Sequence, residues 1–194
     1  MCTGNICRSP AAERLLVNKC GGTVDVSSAG TAALEGQPIA PLMRELLVAE
    51  GAEVDQFAAR ALRPVQIKQA DLVLGLTRAH RAAVVQLVPA AVRRTFALRE
   101  FARVLGSSSF SVPRSETFSG RLAASIPIAA AHRVALAQPD QGDDDVLDPY
   151  GGTTEDYALS FRQLAEAVST IAALLEAEPS DEVCDPRRHR ERTH

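Results

Sequence analysis

The sequence is poor in aromatic residues and contains no tryptophan: Phe and Tyr together make up 4% of its 194 residues. The core must therefore be built mainly from Ala, Val, Leu and Ile, and the aromatic platforms on which single-stranded nucleic acids stack are scarce. A basic excess is also lacking, because 21 Lys and Arg face 24 Asp and Glu, for a formal net charge of -3. The bulk charge therefore indicates neither a nucleic acid nor an anionic membrane surface as a partner.

Long apolar runs and a signal-peptide pattern are lacking as well. No run approaches the roughly 20 residues of a membrane span, and the first residues do not show the charged and apolar regions of a signal peptide. The four cysteines are too few for a disulfide framework in a chain of this length and indicate reactive or buried thiols. We expect a cytoplasmic protein without a membrane span, a nucleic-acid partner, a metal or a cofactor.

The length and the 46% of hydrophobic residues indicate one domain with a sizeable core. Short apolar runs at 71–76 and 94–98 are typical of strands buried in a parallel sheet. A further strand is predicted at 23–28, and helical patterns lie between these runs, closing with a long helix at 154–176. We predict a three-layer α/β domain over 1–178, with a parallel sheet covered by helices on both faces, a mobile loop at 106–120 and a disordered tail at 179–194.

The stretch from Cys2 to Pro10 is the most informative part of the sequence. Five residues separate Cys2 from Arg8, and a helix is predicted immediately afterwards. A loop that runs into a helix N-terminus directs backbone N–H groups toward one point and so binds a phosphate or a similar oxyanion. Gly4 permits the tight curvature, and the guanidinium of Arg8 can hold two phosphoryl oxygens. The same electrostatics favour a thiolate, so Cys2 is the predicted nucleophile.

The spacing alone is a weak signal. Cys184 and Arg190 are also separated by five residues. There, however, Asp185 and Pro186 stand where donor amides should point, no glycine is present, and no apolar helical stripe follows. The surrounding sequence, and not the spacing, identifies the loop at the beginning of the chain.

The stretch from Cys2 to Pro10 resembles the phosphate-binding loop of the low-molecular-weight protein tyrosine phosphatases, with its pattern Cys-x5-Arg-Ser. The segments 28–31, 70–81 and 148–150 follow in the order that this family shows. The resemblance implies a hydrolase that cleaves phosphotyrosine or other aryl phosphates through a cysteinyl-phosphate. It implies that Cys2 attacks phosphorus and that Arg8 binds the phosphoryl oxygens. It also implies that Ser9 stabilises the thiolate and that Asn5 braces the loop.

A phenolate is a poor leaving group at neutral pH, so a general acid should protonate it. The resemblance assigns this role to Asp148, although an Asp-Pro pair can also simply start a turn. The nearby Asp143, Asp144 and Asp145 are interpreted as solvated loop charges. Tyr150 is either the entrance wall for an aromatic substrate or an ordinary exposed tyrosine. The other predicted substrate-binding residues are Thr3, Gly4, Asn5, Ile6, Cys7 and Ser9.

The sequence departs from the family pattern at its beginning. Members of the family begin with an apolar strand that leads into the loop, whereas only Met1 precedes Cys2 here. We therefore expect the usual first strand to be lacking, with a gap beside the strands near Thr23 and Asp71 and an unsupported loop. The hypothesis that accounts for this is a protein that starts upstream of Met1.

Two other functions stay open. The first is thiol-dependent arsenate reduction, which uses a similar loop but needs further thiols, and residues 70–105 contain none. The second is a truncated, non-catalytic oxyanion-binding protein. For a phosphatase, the expected substrate is a tyrosine-phosphorylated protein or a small aryl phosphate. His80 and His132 are interpreted as helix-surface or core residues.

Overall fold

The computed structural model describes residues 1–135 and 144–176. The predicted tail at 179–194 lies outside these ranges. Two short parallel strands occur, β1 (Val73–Gly75) and β2 (Thr95–Ala97), with a 3-10 helix (Pro89–Arg94) before β2. The α-helices are α1 (Arg8–Cys20), α2 (Pro41–Ala49), α3 (Pro64–Gln69), α4 (Arg78–Leu87), α5 (Leu98–Leu105), α6 (Phe118–Ala135) and α7 (Thr154–Glu176).

The first two residues of the chain extend the sheet formed by β1 and β2. The amino group of Met1 donates to the carbonyl of Leu74 at 2.8 Å, and the carbonyl of Met1 accepts from the amide of Leu76 at 2.9 Å. Cys2 then pairs in parallel with Gly30. The loop that follows Cys2 therefore leaves the sheet at the carboxyl ends of its strands, where ligand sites of α/β proteins form.

The predicted elements agree with the structure at three places and fail at two. The apolar runs at 71–76 and 94–98 contain β1 and β2, and the last helix spans 154–176 as predicted. The strand predicted at 23–28 is wrong: no strand forms there, and within the described ranges the backbone of residues 24–27 makes no hydrogen bond. The loop predicted at 106–120 is shorter in the structure and ends at Thr117. The hydroxyl of Thr117 accepts a hydrogen bond from the amide of Gly120, in the first turn of α6.

A groove of about 470 Å³ lies between residues 24–28 and 69–72 and reaches the apolar side chains of Leu76, Leu98 and Ile126. The gap expected beside these two segments is therefore present. The loop after Cys2 is nevertheless held by a dense set of hydrogen bonds, described below, so the expectation of an unsupported loop is wrong.

The longest helix, α7, packs mainly against α1 and α5. Its inner face, which includes Leu164, Val168 and Leu175, is buried in the core. By length and composition alone, α7 is also apolar enough to cross a membrane. A core helix with a buried apolar face meets the same criterion, and in this structure α7 occupies such a position.

Candidate active site

The loop after Cys2 ends where α1 begins, at Arg8. Cys7 occupies the N-cap position, and within the described chain its side chain makes no capping hydrogen bond to the helix. The first amide groups of an α-helix have no partner inside the helix. With the dipole of the helix, these groups favour an anion at this end.

Asn5 braces the loop from inside. It is fully buried and adopts a positive φ of 54°, a left-handed conformation that Asn tolerates better than most residues. Its side-chain amide donates to the hydroxyls of Ser9 at 2.9 Å and Ser28 at 2.8 Å. Its side-chain carbonyl accepts from the backbone amide of Arg60 at 2.9 Å. Asn5 thereby joins the loop to α1 and to two segments that flank it.

The segment at 28–31 supports the loop through backbone contacts. The amide of Thr31 donates to the carbonyl of Cys2 at 2.9 Å, and the amide of Ala32 donates to that of Thr3 at 3.1 Å. A Cβ at Gly30 would lie 2.3 Å from the carbonyl oxygen of Thr3. Only glycine allows the two backbones to approach this closely, which explains its place in this segment.

A thiol, a guanidinium and a carboxylate meet at the end of the loop. The Sγ atom of Cys2 lies 2.9 Å from the Oγ atom of Ser9, and both residues are buried. Arg8 is only 5% exposed, and its guanidinium donates to the carbonyl of Val146 at 3.3 Å and to the carboxylate of Asp148 at 2.5 Å. The loop before α7 thus brings Asp148 to the beginning of the chain.

These groups line a pocket of about 220 Å³. Ala32, Leu34 and Ile6 contribute apolar wall, and Tyr150, which is 65% exposed, stands at the rim. Ser9 does not line the pocket but lies behind the thiol. In the described ranges no cluster of three His, Cys, Asp or Glu side chains could hold a metal ion. The predicted site residues that line the pocket are Cys2, Thr3, Gly4, Asn5, Ile6, Cys7, Arg8, Asp148 and Tyr150.

The second thiol of the loop has a different environment. Cys7 is buried, and its Sγ atom lies 3.6 Å from the hydroxyl of Tyr157 on α7. Burial raises the pKa of Cys7 above its ordinary value, despite the hydrogen bond from Tyr157. Burial, together with the contact to Cys7, raises the pKa of Tyr157 to about 12. Both groups therefore stay protonated at neutral pH.

His80 lies next to the loop, at a position that the sequence did not reveal. It is buried at the start of α4, where its Nδ1 atom lies 2.8 Å from the hydroxyl of Thr77 and its Nε2 atom lies 3.0 Å from the hydroxyl of Thr3. Burial, followed by the charges of Arg8 and of the amino terminus, lowers the pKa of His80 to about 4. The imidazole is therefore neutral at physiological pH.

The acidic loop before α7 is anchored by ion pairs. A carboxylate oxygen of Asp144 accepts from Arg103 at 2.9 Å, and a carboxylate oxygen of Asp145 accepts from the backbone amide of Arg78 at 2.7 Å. The interpretation of these two residues as solvated charges is therefore wrong, because both hold the loop against neighbouring helices. Asp143 lies outside the described residues.

A buried thiol, an arginine and an aspartate thus line one pocket of this α/β fold, at the end of a helix that favours an anion. The family model for low molecular weight phosphotyrosine protein phosphatase matches residues 1–115, and the chain belongs to this family. The resemblance deduced from the sequence is thereby confirmed.

The chain is similar to proteins with two kinds of named activity. It is 29% identical over 178 residues to a protein-arginine-phosphatase of Geobacillus stearothermophilus, covering 92% of this chain and 95% of that protein. It is 36% identical over 89 residues to the low molecular weight protein-tyrosine-phosphatase Etp of Escherichia coli K12, covering 46% of this chain and 60% of that protein.

A solved structure confirms the expected α/β fold of the family. The YwlE arginine phosphatase from Geobacillus stearothermophilus superposes with a TM-score of 0.65 at 29% identity, covering 90% of this chain and 88% of that one.

The hydrogen bonds of Asn5 should contribute to the stability of the folded chain. Replacing Asn5 with Ala removes two buried hydrogen bonds and one partly buried one, and it places a Cβ-bearing residue without a polar side chain at positive φ. We expect the free energy of unfolding to fall by about 2–4 kcal/mol. Asn5→Gly loses the same hydrogen bonds but avoids the steric penalty at positive φ. Its free energy of unfolding should therefore fall by about 1 kcal/mol less than that of Asn5→Ala. Urea unfolding checks both values; equal values for the two variants would contradict the strain argument.

Proposed function

We propose that the protein is a cysteine-dependent phosphatase that hydrolyses aryl phosphate monoesters, with phosphotyrosine in proteins as the natural class of substrate. The observation that carries this proposal is the meeting of Cys2, Arg8 and Asp148 in one pocket, with Arg8 and Asp148 joined at 2.5 Å. Membership in a phosphatase family supports hydrolysis as the reaction.

In the first step, the thiolate of Cys2 attacks phosphorus, an S–P bond forms, and the bond from phosphorus to the phenolic oxygen breaks. Arg8 binds phosphoryl oxygens with its fork of donors, and the amides at the start of α1 bind the charge that develops on them. The protonated carboxyl group of Asp148 gives its proton to the departing phenolate. The products of this step are a free phenol and a cysteinyl-phosphate.

In the second step, water attacks the phosphorus of the cysteinyl-phosphate. The carboxylate of Asp148 takes a proton from the water, the S–P bond breaks, and inorganic phosphate leaves with the thiolate restored. The Asp148 side chain is 53% exposed, so it can meet both the leaving group and incoming water. The hydrogen bond from Arg8 orients this carboxyl group beside the pocket until a phosphoryl group takes the donors of Arg8.

The walls of the pocket favour an aryl phosphate over a phosphorylated guanidine. An aromatic ring can lie against the apolar side chains of Ala32 and Leu34 and against Tyr150 at the rim. A guanidinium needs hydrogen-bond acceptors, preferably a carboxylate. Asp148 is the one carboxylate that lines the pocket in the described part of the chain, and it is paired with Arg8.

Two peptides of the same sequence, one with phosphotyrosine and one with phosphoarginine, test the substrate class. We expect kcat/KM to be at least about tenfold higher for the phosphotyrosine peptide, since a mismatched buried polar group costs at least that factor. A preference for the phosphoarginine peptide would contradict the aryl assignment and would leave the phosphatase assignment intact. If the protein hydrolysed neither p-nitrophenyl phosphate nor either of the two peptides, both the aryl assignment and the phosphatase assignment would be contradicted.

A variant at the pocket rim sharpens this test. Leu34→Asp adds a second carboxylate at a position that is 42% exposed, so the ratio of the two kcat/KM values should move toward phosphoarginine. Leu34→Ala is the matched control, because it removes the same apolar surface without adding an acceptor, and it should lower activity on phosphotyrosine alone. An unchanged ratio in Leu34→Asp would show that this wall does not select the substrate.

Arsenate reduction stays the second candidate on chemical grounds, but residues 70–105 contain no cysteine that could relay a disulfide. A non-catalytic oxyanion-binding protein would bind phosphate and hydrolyse nothing, so the same assays separate it from the phosphatase.

A cytoplasmic location stays a prediction from the sequence.

A further inference from the structure

His80 is held on every side that can form a hydrogen bond. Its two ring nitrogens contact the hydroxyls of Thr77 at 2.8 Å and Thr3 at 3.0 Å, and its backbone amide donates to Thr77 at 3.1 Å. A neutral imidazole has one donor and one acceptor, and threonine hydroxyls can complement either tautomer. The ring therefore has one orientation that satisfies both nitrogens in a buried position.

The residue at the far end of this hydrogen-bond chain, Thr3, belongs to the anion-binding loop. It follows Cys2 directly and lines the pocket. On one side, its carbonyl accepts from the amide of Ala32 at 3.1 Å. On the other side, its hydroxyl contacts His80, which stands at the start of α4. The first turn of the loop is thus clamped between two separate parts of the fold.

We propose that His80 is a positioning residue that fixes the Thr3 side of the loop against α4 and thereby sets the affinity of the pocket for a phosphoryl anion. The inference rests on the proposed function only in taking the anion to be a phosphoryl group.

The charges around His80 agree with a role that depends on geometry. Arg8 and the amino terminus of Met1 disfavour the imidazolium, while Asp148 and Asp145 favour it less strongly. Burial contributes most to keeping the ring neutral. A neutral ring adds no charge to the anion site, so its effect on the anion must come through the position of Thr3.

Two amide variants separate the two hydrogen bonds of the ring. The terminal amide of glutamine reaches the place of the imidazole Nε2 atom, whereas that of asparagine reaches only the place of Nδ1. His80→Gln should keep the bond to Thr3, and His80→Asn should keep only the bond to Thr77. The full chain is titrated with inorganic phosphate by calorimetry. We expect the Kd to rise about 3- to 10-fold in His80→Asn and less than about twofold in His80→Gln.

A merely structural role would give a different pattern. If the bond to Thr77 mattered because it stabilises α4, His80→Gln would be the weaker binder and the less stable variant. If both variants lost phosphate affinity in proportion to a loss of thermal stability, the positioning role would be overturned. Either pattern contradicts the inference.

A double-mutant cycle provides a second, independent check. Thr3→Val removes the hydroxyl and keeps the side-chain shape, so it should raise the Kd for phosphate about as much as His80→Asn. The double variant should bind no more weakly than either single variant, because both remove the same contact. Additive losses would overturn the inference.

The proposed function and this inference can fail separately. A wild-type chain that binds phosphate but hydrolyses no phosphate ester would contradict the proposed function while the Kd values of the variants still decide the role of His80. If the wild type were active and all four proteins of the cycle had equal Kd values for phosphate, only the inference about His80 would be overturned. Wild type that binds no phosphate would overturn both.

Discussion

Replacing Cys2 with Ser is expected to reduce the hydrolysis of p-nitrophenyl phosphate by at least about 10³-fold, because a serine hydroxyl is not ionised at neutral pH and cannot replace a thiolate nucleophile. Binding of inorganic phosphate should persist and should be at least as tight as in the wild type. Arg8 and the amides at the start of α1 are unchanged in the variant, and the serine places no negative charge beside the phosphate. Steady-state kinetics and calorimetry measure the two effects.

Two other cysteines provide the controls. Cys20 is buried at the end of α1, away from the pocket, and Cys20→Ser should keep wild-type activity. Cys7 shares the loop, but burial raises its pKa and its thiol contacts Tyr157. Cys7→Ser should therefore reduce activity by less than about tenfold, through packing alone. Loss of turnover in Cys7→Ser and not in Cys2→Ser would contradict the assignment of the nucleophile.

Replacing Asp148 with Ala is expected to show a loss that depends on the leaving group. For phosphotyrosine, whose phenolate needs a proton, kcat/KM should fall by about 10²- to 10³-fold. For p-nitrophenyl phosphate, whose leaving group is more stable as an anion, the fall should be only about tenfold. The ratio of the two values reports proton donation, since a change in binding of the phosphoryl group would affect both substrates equally.

Asp148→Asn is the matched variant, because it keeps the size of the side chain and an acceptor for Arg8 without a transferable proton. It should show the same leaving-group dependence as Asp148→Ala. Equal losses on both esters in either variant would argue that Asp148 only orients Arg8, with which it forms an ion pair at 2.5 Å. Asp55→Ala is a second carboxylate control, because Asp55 pairs with Arg44 on the surface. This variant should leave kcat/KM unchanged for both esters.

The sequence is sufficient to predict the parts of the site that lie in one short segment. The loop from Cys2 to Ser9 can be recognised because a glycine, an arginine and a helix start follow the thiol at fixed distances. The strands β1 and β2 could be predicted for a similar reason, since each is a continuous apolar run between polar residues. The segment at 24–27 has the composition of a strand, but it becomes one only when a neighbouring backbone pairs with it, and that information is not local.

The contacts that complete the site join distant positions. The bond between His80 and Thr3 spans 77 residues, and that between Arg60 and Asn5 spans 55. No local pattern distinguishes His80 from an ordinary histidine on a helix, and the residue type alone favours a core or surface interpretation. The same holds for Asp144, which reads as a loop charge until its pairing with Arg103 is seen. Tertiary pairing of this kind has no signature in a single sequence.

If Cys2 carries the phosphoryl group between the two steps, the phosphorylated enzyme can be trapped. The Asp148→Ala chain is mixed with p-nitrophenyl phosphate and quenched rapidly, and its peptides are analysed by mass spectrometry under conditions that preserve thiophosphates. We expect one added phosphoryl group on the peptide that contains Cys2 and none on the corresponding peptide from Cys2→Ser. Turnover without any phosphorylated Cys2 peptide, or with the group on Cys7, would contradict it.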